Sequence, residues 1–223
     1  MLFENRYQAG ISLKELAERV IADKEKAVIM AIPRGGVEVA YGLSKSIRIP
    51  FTLVIVRKLG IPWNEEAGFG SVDPEGEVYI DEGVVKYLGI SEKIIEEIKR
   101  KELKKIKERI DRFLKGREPD IKDKDIIVVD DGMATGYTTI AAMNYAKKKG
   151  ARKVISLSPV CPEDALRRVE NRGFKAHCYH RVREEVSFAV GMFYTDFHQL
   201  SDEEVMEIIE RAKREGLFYD KNS

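Results

Sequence analysis

The stretch IIVVDDGMATGYTTI, Ile126 to Ile140, decides the fold. It opens on an apolar, β-branched run of the kind that forms a strand buried on both faces. That strand ends in Asp130-Asp131, and a turn containing Gly132, Ala134 and Gly136 leads into a helix expected to reach about Lys149. In an open parallel sheet, ligands lie outside the carboxyl ends of the strands, where the following helix aims its first N–H groups outward. The two aspartates are therefore delivered to a ligand edge. The small turn residues leave a phosphate room to approach the backbone, and Thr135, Thr138 and Thr139 offer hydroxyls. No Gly-Lys-Ser/Thr follows, as a Walker loop would require, and the G-x-G-x-x-G of a dinucleotide site is absent. Acids beside a phosphate nest suit a ligand with both hydroxyls and a phosphate, such as a sugar phosphate.

Outward from this stretch, short apolar runs alternate with helical patterns. Strands are expected at Lys26–Ile32, Phe51–Val56, Asp125–Asp130, Lys153–Val160 and, more weakly, Phe174–His180. A helix is expected from Val37 to about Lys45, and another follows the fourth strand in PEDALRRVEN. Alternation of this kind predicts an α/β protein, a Rossmann-like open parallel sheet of about five strands with helices on both faces. The expected organisation is a single domain over 1–223, with 59–124 as a lid or helical insertion within it. The insertion reads as a Gly/Pro/Trp-containing loop, a short strand in EVYI, and a charged helix from about Ser91 to Leu114. That helix would be about 36 Å long at ~1.5 Å per residue. Ile95, Ile98, Ile106, Ile110 and Phe113 give it one apolar face. Near the end, Ser201 and Glu204 form a capping box that opens a last helix.

Bulk composition narrows the function. Charged residues make up 35% of the chain yet nearly cancel, to a net +1, so no global field draws nucleic acid or an anionic membrane. Dense charge of both signs with few Gln fits a thermophile's surface. The N-terminus lacks a signal-peptide layout, no run approaches a membrane span, and two cysteines are too few for a disulfide framework. A soluble cytoplasmic protein is expected, without nucleic-acid or membrane partners.

VVDDGMATGYTT resembles the loop that binds 5-phosphoribosyl-1-pyrophosphate (PRPP) in the type I phosphoribosyltransferases. The resemblance implies that family's fold, with a small C-terminal hood. It makes Asp130 and Asp131 the acids on the ribose hydroxyls and the catalytic residues. It makes Gly132, Met133, Ala134, Thr135, Gly136, Tyr137 and Thr138 the surroundings of the 5-phosphate. The family places a pyrophosphate loop after the first core strand, where AIPRGGVEVA supplies Arg34, Gly35 and Gly36; relatives often hold a non-proline cis peptide there. Arg57 and Lys58, ending the second strand, match further pyrophosphate-facing cations. The insertion stands where the family has a mobile loop, making Trp63, Glu65, Glu66 and Phe69 lid groups, with static packing or subunit contact as the alternative. The layout, including FAVGMFYTDFHQLSDEEV, resembles a group of stand-alone predicted phosphoribosyltransferases whose acceptor the resemblance does not supply.

The implied reaction is displacement of pyrophosphate from C1 of PRPP by a nitrogenous acceptor. Mg²⁺ would be held mainly through PRPP and water, with no protein metal site. Ala134 is informative: relatives acting on 6-oxopurines carry an aspartate there as general base, and alanine cannot exchange a proton. Glu65 or Glu66 would be the acceptor base if one is used. A homo-oligomer is expected. The second reading is a module of the same fold that binds PRPP or a nucleotide without turnover. A third, an interaction protein built on the long helix, leaves the aspartates idle.

Other features read as structure. His177 and Cys178 point to opposite faces of a strand, so Cys161 and Cys178 are expected as buried thiols rather than zinc ligands. Phe188, Phe193, Tyr194 and Phe197 sit where the family builds its hood and are expected mainly to pack. KRKELKKIKER is expected to be a solvated helix face.

Overall fold

The computed structural model describes residues 2–183 and 188–220, with backbone alone at 65 and 66. The chain begins with two short helices, α1 (Arg6–Ser12) and α2 (Lys14–Val20), then enters β1 (Ala27–Ala31), α3 (Gly35–Ile47) and β2 (Phe51–Leu53). The insertion holds β3 (Arg57–Ile61), β4 (Asn64–Val72), β5 (Val78–Ile80), α4 (Glu82–Leu88) and α5 (Glu92–Leu114). The core resumes with β6 (Asp125–Val129), α6 (Tyr137–Lys148), β7 (Lys153–Pro162), α7 (Glu163–Glu170) and β8 (Lys175–Val182). A short 3-10 turn at Val190–Phe193 and α8 (Asp202–Arg214) follow.

Five strands form one parallel sheet in the order β2-β1-β6-β7-β8. The pleat explains why β1 and β6 read as unbroken apolar runs. Ile29, Ala31, Ile127 and Val129 face the cluster that includes α3 and α8; Val28, Met30, Ile126 and Val128 face the cluster formed with α6 and α7. Both faces are covered, as the α/β reading requires. From β1 the chain crosses to β2 on one side, and from β6 it crosses to β7 on the other. The carboxyl ends of β1 and β6 therefore flank a topological switch point, the usual ligand crevice of such sheets. Among the described residues no helix is long and apolar enough to cross a membrane.

The expected strand 51–56 pairs only through Leu53. The Val54 N–H still donates to the Ala31 carbonyl at 3.0 Å, but β1 ends there and Val54–Val56 lead buried toward β3. The expected loop beyond residue 59 is instead the hairpin β3-β4, joined by β5 into a three-stranded antiparallel sheet. Its glycines are demanded by contact rather than by turns: a Cβ on Gly70 would lie 2.3 Å from the Tyr79 carbonyl oxygen. Phe69, expected as a lid group, is fully buried, with Leu59, Ile61 and Val72, in the cluster shared with the main sheet.

Helix α5 presents its predicted apolar stripe to that cluster. Its charged side is not simply solvated, because Glu102 is only 6% exposed. The expectation of two thiols is also corrected: Cys161 and Cys178 form a disulfide. Adjacent strands β7 and β8 bring their Cα atoms to 6.4 Å, a proximity that the 17-residue spacing does not reveal.

Candidate active site

The turn after β6 is shaped by backbone needs. Gly136 has φ +86° at the N-cap of α6, and a Cβ there would lie 3.1 Å from the Ala165 carbonyl oxygen, so only glycine fits without strain. Helix α6 starts without a capping side chain and without an acid in its first turn. Every other α-helix among the described residues has one or the other. Asn5, Asp81, Ser91 and Ser201 cap α1, α4, α5 and α8, while Glu15, Glu38 and Glu163 stand in the first turns of α2, α3 and α7. Among the described residues the N-terminal N–H groups of α6, and its positive dipole end, thus meet no capping side chain or first-turn acid, an arrangement able to take an anion.

The predicted cradle divides by direction. Met133, Tyr137 and Thr139 turn their side chains into the protein, so they can offer a ligand only backbone; Thr139 is withdrawn as a hydroxyl donor. Ala134 and Thr135 are exposed, and Thr138 lines the adjoining cleft. From α7, Arg168 donates to the Thr135 carbonyl at 2.5 Å, and its guanidinium lies 5.5 Å from the centre of the Tyr137 ring, pinning the turn from behind.

The cleft, about 530 Å³, runs between the β1 and β6 ends and α5. Asp130 opens onto it with Ile32, Pro33, Arg57, Lys58, Lys101 and Lys105. Burial, then the charge of Asp131, pushes the Asp130 carboxyl well above its ordinary range. Asp131 turns elsewhere: its Oδ2 accepts from Nε of Arg6, a buried guanidinium, at 2.8 Å. Gly35 and Gly36 allow this packing. A Cβ on Gly35 would sit 2.0 Å from Asp131 Oδ2, and one on Gly36 2.8 Å from the Val129 carbonyl oxygen. The Pro33–Arg34 peptide is cis, as the resemblance implied.

Cations gather on the α5 side. Glu102 pairs with Arg57 at 2.8 Å and with Lys105 at 2.7 Å. Burial works to raise the Glu102 carboxyl, but those two hydrogen bonds outweigh it and hold the group below its usual range. Arg34 reaches Asp202 at 3.5 Å, and Arg112 meets the same carboxylate at 3.0 Å. Arg109, one turn beyond Lys105, makes no hydrogen bond or ion pair among the described residues. Burial first, and then the nearby charge of Arg57, lowers its pKa. Trp63 stands 65% exposed at the β3-β4 turn. The side chains of Glu65 and Glu66 lie outside the described residues.

The hood closes over the other side. Val190 fills the place a Gly132 side chain would take, and the Tyr194 hydroxyl donates to the Asp131 carbonyl at 2.5 Å. The first residues clamp it, with the Phe3 N–H on the Phe193 carbonyl and the Thr195 N–H on the Phe3 carbonyl, each at 2.9 Å. Arg6, Glu102 and Arg109 escaped the sequence reading. The spacing of Lys101, Glu102, Lys105 and Arg109 on one helix face carried a signal; Arg6, far from Asp131 in sequence, carried none.

Comparison with known proteins agrees with this architecture. The family model for the phosphoribosyl transferase domain matches residues 4–196. A Mycobacterium tuberculosis protein named "Putative phosphoribosyl transferase" is 35% identical over 216 residues, 96% of this chain but 48% of its own length. The chain thus spans about half the length of the curated relatives it matches. The crystal structure of TT1426 from Thermus thermophilus superposes with a TM-score of 0.74 at 29% identity, over 93% of this chain and 97% of that one. AQ2163 from Aquifex aeolicus shares the fold at a TM-score of 0.50 and 16% identity, over 80% of this chain and 75% of that one. With the acid pair, the bare α6 terminus and the Gly-Gly loop meeting at one switch point, and a family model covering most of the sequence, the chain belongs to the phosphoribosyl transferase domain family.

Proposed function

We propose that the protein transfers the 5-phosphoribosyl group of PRPP to a nitrogenous acceptor and releases pyrophosphate. The observation that carries this reading is the N-terminus of α6, unfilled by any cap or acid, beside Asp130 at the switch point. The 5-phosphate would take the α6 amides with the Thr135 and Thr138 hydroxyls, and the acid pair would take ribose hydroxyls. Pyrophosphate would lie toward Gly35, Gly36, Arg57 and Lys58. The acceptor nitrogen forms a bond to C1 as the C1–O bond to pyrophosphate breaks, and the bonding pair leaves with pyrophosphate. The chain's part is to orient the ribose, place cations where charge develops, and exclude water.

Mg²⁺ fits the donors present. The Asp130 carboxylate and Thr138 hydroxyl are hard oxygens, too few for an all-protein cage and suited to an ion held largely by PRPP and water. Bound there, it would neutralise charge on the leaving pyrophosphate. Ala134 leaves the turn without a proton acceptor, which argues against 6-oxopurines. The hairpin tip around Trp63, which is exposed, would close over the site. A cytoplasmic homo-oligomer acting on PRPP and a small acceptor, without nucleic-acid or membrane partners, completes the reading. Calorimetry with Mg-PRPP, followed by pyrophosphate release across a panel of nitrogenous bases, tests it. Binding without turnover on any base favours the non-catalytic PRPP-binding module. Absence of binding by PRPP and ribose 5-phosphate sinks both.

A further inference from the structure

The cation expected from the first loop turns elsewhere. Arg34 reaches Asp202 at the start of α8, 3.5 Å away, and it is Pro33 that lines the cleft. Cations enter the cleft from two other elements: Arg57 opens β3, and Lys105 lies midway along α5. One carboxylate holds both. Arg57 Nε donates to Glu102 Oε2 at 2.8 Å, and Lys105 Nζ donates to Oε1 at 2.7 Å. Glu102 is 6% exposed, against 28% and 38% for the Arg57 and Lys105 side chains, so the cations are the outward members of the trio. A guanidinium has five N–H donors and an ammonium three, and among the described residues each uses one, on Glu102. The helix that carries Lys105 is seated in the core, with Ile95, Ile106 and Phe113 buried there and Arg112 paired with Asp202 at 3.0 Å.

We infer that α5, the long helix of the insertion, is a preformed wall of the pyrophosphate subsite, with Lys105 a ligand-binding cation and Glu102 the positioning residue that holds Lys105 and Arg57 toward the ligand. The inference deepens the proposed function and rests on it for the identity of the ligand. Two like charges sharing one site repel, and a carboxylate between them offsets that repulsion and fixes both heads before a ligand arrives. Each cation keeps donors for phosphate oxygens, the guanidinium as a flat fork and the ammonium as a point charge. A leaving pyrophosphate gains charge as the C1–O bond breaks, so fixed cations at that end favour the transition state over the ground state. Lys105 moves no proton in this role. The insertion thereby supplies, from a seated helix, the charge that Arg34, engaged with Asp202, directs away from the cleft.

The test is calorimetry of the full chain with inorganic pyrophosphate, in EDTA and in Mg²⁺ and at low and high salt, alongside Mg-PRPP. Lys105→Gln should weaken pyrophosphate binding about tenfold, the worth of one charge-assisted hydrogen bond, and by less in high salt. Lys105→Arg should restore most of the loss. Lys107→Gln, on the exposed side of α5, should leave affinity within about twofold of the wild type. In a Glu102→Gln background the Lys105→Gln step should shrink to about twofold, because the ammonium is no longer held in place. A step that stays near tenfold there, roughly additive, makes Glu102 structural and overturns its positioning role. Should Glu102→Gln not fold, Glu102→Asp replaces it, keeping the charge on a stem too short to hold both cations. Pyrophosphate and PRPP affinities unchanged in Lys105→Gln overturn the inference and leave the proposed function standing. A wild type that binds neither pyrophosphate nor PRPP defeats the proposed function, and the inference with it. One that binds pyrophosphate through Lys105 yet turns over no base defeats only the catalytic reading.

Discussion

Helices α6 and α8 begin with the same physical problem and treat it in opposite ways. Each starts with N–H groups that have no partner inside the helix. At α8, Ser201 accepts from the Glu204 N–H at 3.1 Å, Glu204 accepts from the Ser201 N–H at 2.7 Å, and three acids fill the first turn. The terminus is complete in itself. At α6 the cap position is a glycine, the first turn holds no acid, and Asp130 stands alongside. The α6 terminus is left to be completed from outside. Chemistry that the fold could have satisfied internally, and did not, is what the proposed function assigns to the 5-phosphate.

Four substitutions break or sharpen this contrast. The largest effect is expected from Asp130→Asn, which should cost roughly a hundredfold in Mg-PRPP affinity by calorimetry, the loss of about two charge-assisted hydrogen bonds. The same variant should melt at higher temperature at neutral pH. The folded Asp130 titrates above its unfolded value, so its contribution to stability is present at low pH and lost as pH rises through the raised value. Asparagine removes that loss. Lower stability with unchanged affinity would make Asp130 a structural acid.

Next comes Gly136→Ala. Forcing φ +86° on an alanine costs about 1–2 kcal/mol, and its Cβ would press on the Ala165 carbonyl oxygen. Denaturant melts should show that loss, and PRPP affinity should fall by roughly tenfold as the amides shift. Arg109→Gln removes a half-buried cation near Arg57 that makes no ion pair among the described residues; pyrophosphate affinity should fall about fivefold, near 1 kcal/mol, and less in high salt. Ser201→Ala is the control at the self-completed terminus. It should cost about 1 kcal/mol of stability in denaturant melts and leave PRPP affinity unchanged.

The sheet was legible in sequence because β1 and β6 are covered on both faces, and such strands are written as continuous apolar runs whatever surrounds them. The acid pair and its turn were legible because their requirements are local: two carboxylates at a strand end and a left-handed glycine. The β3-β4 hairpin was hidden by Gly60, Gly68 and Gly70, which resemble loop punctuation but mark bulges and close backbone approach. Phe69 looked like a lid residue because its neighbours are small, and only the packed sheet shows that it is core. Arg6 and the disulfide depend on contacts between segments distant in sequence, for which a single chain offers no periodicity to detect.

The end of the described chain also closes an opening. Residues Leu217–Tyr219 run along the outer side of β2, the Phe51 N–H donating to Leu217 and the Tyr219 N–H to Phe51. A bare edge strand is a template that any extended segment, including one from another copy, can join. Here the molecule supplies its own occupant, so growth by strand addition is blocked on that side. Self-association would have to use other surfaces, among them the β8 rim, the edges of the three-stranded sheet and the helical faces, and misassembly into a continuous intermolecular sheet has one fewer place to begin.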